Sequence, residues 1–199
     1  TATAKANGTG LVVGSPLTAA GNVTLNGTGN GVGSGNGVNV SADLSSTNGT
    51  IRINGTGNGS YGFAVGGSLT ASNGDIVLAG TANTGIGANL TGSLNAAQGN
   101  ISINGSSQTE RGVRLAGTIT ASGAVNITGS ADGGNGIGVP VNLTLSAAGG
   151  AILTGTANSA HGINISSTLE AAGTPVLTLN GTTTATVGQR YGVNISGTV

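Results

Sequence analysis

A short pattern repeats along nearly the whole chain, and it restricts the fold more than any single residue does. A glycine is followed by an apolar pair at alternate positions and then, seven places after the glycine, by an aliphatic residue. The pattern reads Gly10…Leu17, Gly37…Leu44, Gly62…Leu69, Gly87…Leu94, Gly112…Ile119, Gly138…Leu145, Gly162…Leu169 and Gly192…Val199. Successive aliphatic markers lie 27, 25, 25, 25, 26, 24 and 30 residues apart. Strand-like segments at such a period imply a stacked solenoid, in which each repeat buries its apolar face on its neighbours.

One unit shows the local grammar. Ile51 and Ile53 alternate with polar neighbours, the period of a strand with one buried face. Gly55 is expected to turn the chain there with φ > 0. Phe63 and Val65 make a second alternating pair, Leu69 and Ala71 a third, and Asn73-Gly74 closes the unit. The first pair recurs as Val23/Leu25, Ile76/Leu78, Ile101/Ile103, Val125/Ile127 and Leu177/Leu179. The second recurs as Val38/Val40, Ala88/Leu90, Val113/Leu115, Val139/Val141, Ile163/Ile165 and Val193/Ile195. A small inward residue ends the third at Ala19, Ser46, Ala96, Ala121, Ala147 and Ala171. Three short parallel strands per unit predict an all-β parallel β-helix, a β-solenoid of seven to eight coils of about 25 residues. With strands about 4.8 Å apart, such a rod is roughly 35 Å long. Pro140 removes a ladder donor and is expected to mark a local bulge.

A polar ladder accompanies the apolar one. Thr28, Thr56, Thr81, Ser106, Ser130, Thr156 and Thr182 each follow the first-strand glycine, and Asn26, Asn54, Asn104 and Asn180 precede it. Stacked residues of this kind can hydrogen-bond from coil to coil and to turn backbone. Both ladders read as structural: Leu17, Leu44, Leu69, Leu94, Ile119, Leu145, Leu169 and Val199 for the core, the hydroxyls for the surface.

Composition narrows the function. Glycine supplies 41 of 199 residues without the every-third spacing of collagen. The hydrophobic fraction of 36% is placed too regularly for a disordered linker. Five basic and five acidic residues balance to zero, and Lys5, Arg52, Arg111, Arg114 and Arg190 are scattered, so no basic stripe exists for nucleic acid. There is no cysteine for disulfides or thiolate metal sites. No apolar run of about 20 residues is present, so no helical membrane span is expected, and no signal-peptide pattern is seen. The chain begins at Thr1 without methionine and stops at Val199 within a repeat. It is therefore read as a single β-helix segment, 1–199, excised from a longer repeat protein.

Local motifs weigh against chemistry. Gly57-Asn58-Gly59-Ser60-Tyr61-Gly62 matches a dinucleotide fingerprint formally, but a β repeat follows instead of a helix. No cofactor is expected. His161 is the only histidine and has no acidic neighbour in sequence, so a surface position without metal is expected. Asp43, Asp75 and Asp132 are too few for a calcium-binding β-roll. Glycoside hydrolysis needs two facing carboxylates, yet Asp43, Asp75, Glu110, Asp132 and Glu170 occupy five repeats and share no ladder position on adjacent coils. The chain is expected not to be an enzyme. Asn-x-Ser/Thr sequons such as Asn22-Val23-Thr24 and Asn89-Leu90-Thr91 follow from a chain rich in these residues. Thr118-x-Thr120 hints at an ice-binding array, but the sequence matches it only with Ser68-x-Thr70.

The repeat V-x-L-x-G-T, then G-V-x-V, then L-x-A, best seen in Val23-Thr24-Leu25-Asn26-Gly27-Thr28 and Gly192-Val193-Asn194-Ile195, resembles the repeat region of filamentous haemagglutinin-like adhesins. These are surface proteins of Gram-negative bacteria, exported by two-partner secretion or as autotransporter passengers. The resemblance implies a right-handed β-helix, a place outside the cell or on its surface, and an outer-membrane secretion partner. It also implies a role in cell adhesion, as stalk or binding surface, with a glycan or protein of a host or neighbouring cell as partner. The alternatives are a ligand-binding solenoid recognising glycan or ice, and a non-catalytic part of a carbohydrate-active enzyme. Open ends of such a rod are expected to favour end-to-end self-association. The long first repeat and the stretch 182–189 are the exceptions to the period and the places where a specific contact is expected.

Overall fold

Alternation of Ile, Val and Leu with polar partners builds three parallel sheets in the computed structural model, which describes residues 2–3, 8–31 and 35–199. Every strand between the ends of its sheet pairs with the equivalent strand of the coil before and the coil after, so coils of about 25 residues stack into a β-solenoid. Sheet A has eight strands, sheet B eight and sheet C seven. In one coil they are Ile51–Gly57, Tyr61–Val65 and Ser68–Ala71. The described residues contain no helix, and none crosses a membrane as a long apolar helix. Lys5 and part of the long first repeat, residues 32–34, lie outside the described residues.

The core is one continuous column. Ile51, Ile53, Phe63, Val65, Leu69 and Ala71 are buried in one coil, and Ile76, Leu78, Ala88, Leu90, Leu94 and Ala96 stand directly over them. Each large aliphatic side chain so buried contributes about 1.5–3 kcal/mol. Exposure rises at both ends, where Leu17 and Ile195 lack a neighbouring coil on one side. Stability is therefore shared between neighbours and does not depend on contacts distant along the rod.

Glycine has a different role from the turn expected at Gly55. That residue lies inside the strand Ile51–Gly57, and the glycines with positive φ are Gly117, Gly150, Gly173 and Gly188. A Cβ on Gly55 would overlap the carbonyl oxygen of Gly62, at the start of sheet B in the same coil. The same collision recurs for Gly27 with Gly37, Gly80 with Gly87, Gly105 with Gly112, Gly129 with Gly136, Gly155 with Gly162 and Gly181 with Gly192. Sheets A and B thus pinch together, backbone on backbone, beside the aliphatic column. Across the pinch, a Cβ on Gly62 would also meet the backbone nitrogen of Thr81 in the next coil, and one on Gly87 that of Ser106.

The ladder Thr28–Thr56–Thr81–Ser106–Ser130–Thr156–Thr182 is in register along sheet A. The ladder Leu17–Leu44–Leu69–Leu94–Ile119–Leu145 is in register along sheet C. The next step departs from the sequence reading. Leu169 pairs with Leu143, not Leu145, whereas the parallel Thr168–Thr198 bridge sets Val199 against Leu169, 55% exposed on the last coil. Likewise the sheet B pair of this coil is Ile137/Val139, with Val141 out of the ladder and 48% exposed. The marker glycine there is Gly136, whose carbonyl accepts the N–H of Val113, and Gly138 pairs with Arg114. Ala171 accordingly leaves the small-residue row.

One slip of two residues explains all of these departures. Gly117 pairs with Leu143 and Ile119 with Leu145, so both leucines point inward on a five-residue strand, Leu143–Ala147. Because side chains alternate with period two, the slip leaves every inward residue inward. Pro140 sits just after Ile137–Val139, where Ala116 donates to the Leu90 carbonyl one coil earlier and Ser166 to the Val139 carbonyl one coil later, so it removes one inter-coil donor.

Candidate functional site

Many of the polar side chains hold one coil to the next. Asn54 donates to Asn26 at 2.7 Å, Asn83 to Asn58 at 2.7 Å, Asn73 to Asn48 at 2.9 Å and Asn194 to Asn164 at 2.7 Å. Three of the five carboxylates do the same. Asp43 accepts the N–H of Ser68 at 2.9 Å, Asp75 that of Asn100 at 2.7 Å, and Asp132 the side-chain amide of Asn158 at 2.7 Å. Glu170 stands on the outer side of sheet C and Glu110 on the corner between sheets A and B. Glu110 and Asp132 share that corner on adjacent coils but not one level of it. The Asp132 N–H donates to the Ser107 carbonyl, whereas Gly134 is the residue that stands against Glu110.

The corner leading into sheet B collects the remaining chemistry. The residue before each marker glycine forms a row: Asn36, Tyr61, Ile86, Arg111, Asn135, His161 and Tyr191. The row has its own recurring hydrogen bond. Asn36 Oδ1 accepts the N–H of Tyr61 at 3.2 Å, and Asn135 Oδ1 accepts that of His161 at 3.1 Å. His161 Nδ1 then accepts the N–H of Tyr191 at 3.0 Å, so a ring nitrogen does what the Asn135 amide oxygen does one coil earlier. This bond places the imidazole proton on Nε2. Tyr191 stacks on the His161 ring, with centroids 5.6 Å apart and planes 8° from parallel. His161 is half-buried rather than freely exposed. The stretch 182–189 returns to the rod at this stack, after Thr183 Oγ1 donates to the Ala160 carbonyl at 2.7 Å.

His161→Asn is expected to preserve the link to Tyr191, whereas His161→Ala removes its acceptor at a cost of about 0.5–1.5 kcal/mol. Amide hydrogen exchange at Tyr191 reads the difference: several-fold faster in the alanine variant and near wild type in the asparagine variant. Equal rates in all three proteins would show that the bond does not hold the loop.

Two arginines flank the row. Arg114 donates from Nη1 to Asn89 Oδ1 at 3.1 Å on the outer face of sheet B. Arg111 lies across Gly138: a Cβ there would sit 2.8 Å from Arg111 Cδ and 2.9 Å from Nε. Beside Arg111 opens a cleft of about 320 Å³, lined by Thr109, Glu110, Arg111, Gly134, Asn135 and Ala160. Among the described residues, no group of three His, Cys, Asp or Glu is placed to hold a metal ion.

The outer faces of sheets A and C are hydroxyl-rich. On sheet C, Ser68/Thr70, Ser93/Asn95, Thr118/Thr120 and Thr144/Ser146 stand in register over four coils, a broader array than the two matches legible in sequence. On sheet A, Asn26, Thr28, Asn54, Thr56 and Thr81 border an open trough of about 290 Å³. Comparison of the chain with family models, with curated proteins and with solved structures finds no match.

Proposed function

We propose that this chain is a stalk segment of an extracellular bacterial adhesin of the filamentous haemagglutinin-like kind, non-catalytic and reaching a partner on a host or neighbouring cell. The observation that supports it most is that strand pairing runs only from each coil to the coil before and after. Such a molecule gains length, about 4.8 Å per coil, with each repeat added. Export through an outer-membrane secretion partner belongs to the same reading.

Removing whole coils tests it. Deleting residues 69–93 joins Ser68 to Leu94, which already stands over Leu69 in the ladder, so the column closes again. A surface-displayed stalk should tolerate the deletion, with adherence of the producing cells within about twofold of the parent and the rod one coil, about 4.8 Å, shorter. Antibody against the segment should label intact cells. Loss of adherence by a deletion variant that still folds and reaches the surface would refute the stalk reading, as would absence of label on intact cells.

A further inference from the structure

We propose that the corner between sheets A and B, from Glu110 to Tyr191, is a binding site for a neutral oligosaccharide. This goes beyond the stalk reading and does not depend on it, because the site lies outside the coil whose removal tests that reading.

The cleft at Glu110 and Arg111 offers about 320 Å³, at the small end of ligand sites, which begin near roughly 300 Å³. Its polar groups are of complementary kinds. The Arg111 guanidinium can only donate hydrogen bonds, the Glu110 carboxylate can only accept, and the Asn135 amide can do both. Sugar hydroxyls donate and accept at once, so they match this set.

Charge selects against the alternatives. The guanidinium and carboxylate belong to neighbouring residues of opposite sign, and the chain as a whole has net charge zero. An anionic ligand drawn to Arg111 would face Glu110, and a cationic one drawn to Glu110 would face Arg111. A neutral polar ligand meets neither penalty.

The ring pair supplies the apolar half of the site. Tyr191 covers one face of the His161 imidazole, and Tyr191 itself is 47% exposed. The His161 backbone N–H is bonded to Asn135, which lines the cleft, so the ring pair begins one coil beyond it. Aromatic rings present broad apolar surface, and the C–H face of a sugar ring packs on it. Guanidinium to imidazole spans two coils, about 10 Å along the corner, so one short sugar chain can reach both.

The test is saturation-transfer NMR on the whole chain with cellotetraose, maltotetraose and lacto-N-tetraose as neutral probes and a hyaluronan tetrasaccharide as the acidic one. At least one neutral probe should receive saturation at millimolar concentration. Arg111→Ala and His161→Asn should each weaken that binding about tenfold or more; the second keeps the Tyr191 link and removes only the ring. Glu110→Gln, at an exposed position, should weaken it severalfold and serves if an arginine variant fails to fold. Arg52→Ala, on the outer face of sheet A, should leave it unchanged. Saturation of the acidic probe alone, of no probe, or of a neutral probe equally in all variants overturns the proposal.

Discussion

Gly80→Ala should destabilise the protein by about 3 kcal/mol or more, while Gly66→Ala stays within about 0.5 kcal/mol of wild type. The two glycines lie in adjacent coils and each gains one methyl group. At Gly80 that methyl would overlap the carbonyl of Gly87 and sit 2.8 Å from Cδ1 of Phe63. Neither obstacle is a flexible side-chain end, so the pinch must open or the coil must shift. At Gly66 the nearest atom is Thr91 Oγ1 at 3.8 Å, and its φ is not among the positive ones. Thermal unfolding followed by circular dichroism reads the contrast as a drop of about 6 °C or more for Gly80→Ala. A pair of variants that melt together would remove the pinch from the account of this fold.

Phe63→Ala should cost about 3–5 kcal/mol, the range for emptying a buried aromatic site. Phe63 is the only phenylalanine and is fully buried, in register between Val38 and Ala88. The ring reaches into the next coil, where its Cδ1 would lie 2.8 Å from a Cβ on Gly80. Its loss opens a cavity bordering two coils, and backbone ladders on both sides resist collapse. Phe63→Leu retains most of the volume and should cost roughly 1.5 kcal/mol or less. Denaturant unfolding of the three proteins measures this. An alanine variant within about 1 kcal/mol of wild type, near the range of surface substitutions, would mean that the column tolerates a void.

Much of the architecture is legible because inward and outward residues alternate with period two, and Ile51/Ile53 or Ile101/Ile103 display that alternation in isolation. What the pattern hides, it hides for the same reason. Gly136…Leu143 and Gly138…Leu145 both satisfy the seven-residue marker, and a shift of two preserves every face. Hydrophobic pattern therefore cannot separate Leu143 from Leu145. The first-strand pair Ala151/Leu153 does not stand out, because alanine replaces the usual Ile or Val at its start. Gly55 resembles a turn residue because it follows an apolar alternation; its reason lies seven residues on, at Gly62.

The corner site also has a signal in the sequence. Tyr61, Arg111, His161 and Tyr191 each stand directly before a marker glycine, which places them in one row. Asn135 joins that row only when Gly136 is the marker; with Gly138 in that place, the preceding residue is Ile137 and the polar member of the coil disappears from view. The stacking of His161 on Tyr191 depends on the path of the loop 183–190, and no local pattern specifies it.

The pinch between sheets A and B has a consequence for assembly. Where it bears on the next coil its close approaches are to main-chain atoms, as of Gly62 to the Thr81 nitrogen and of Gly87 to that of Ser106. That surface carries no label: any coil could sit on any other. Order along the rod is then enforced by covalent connection and by the few distinctive side chains, such as Phe63 and Arg111. The error such a molecule must avoid is skipping a whole coil while folding, and growth outward from one completed coil is the route that avoids it.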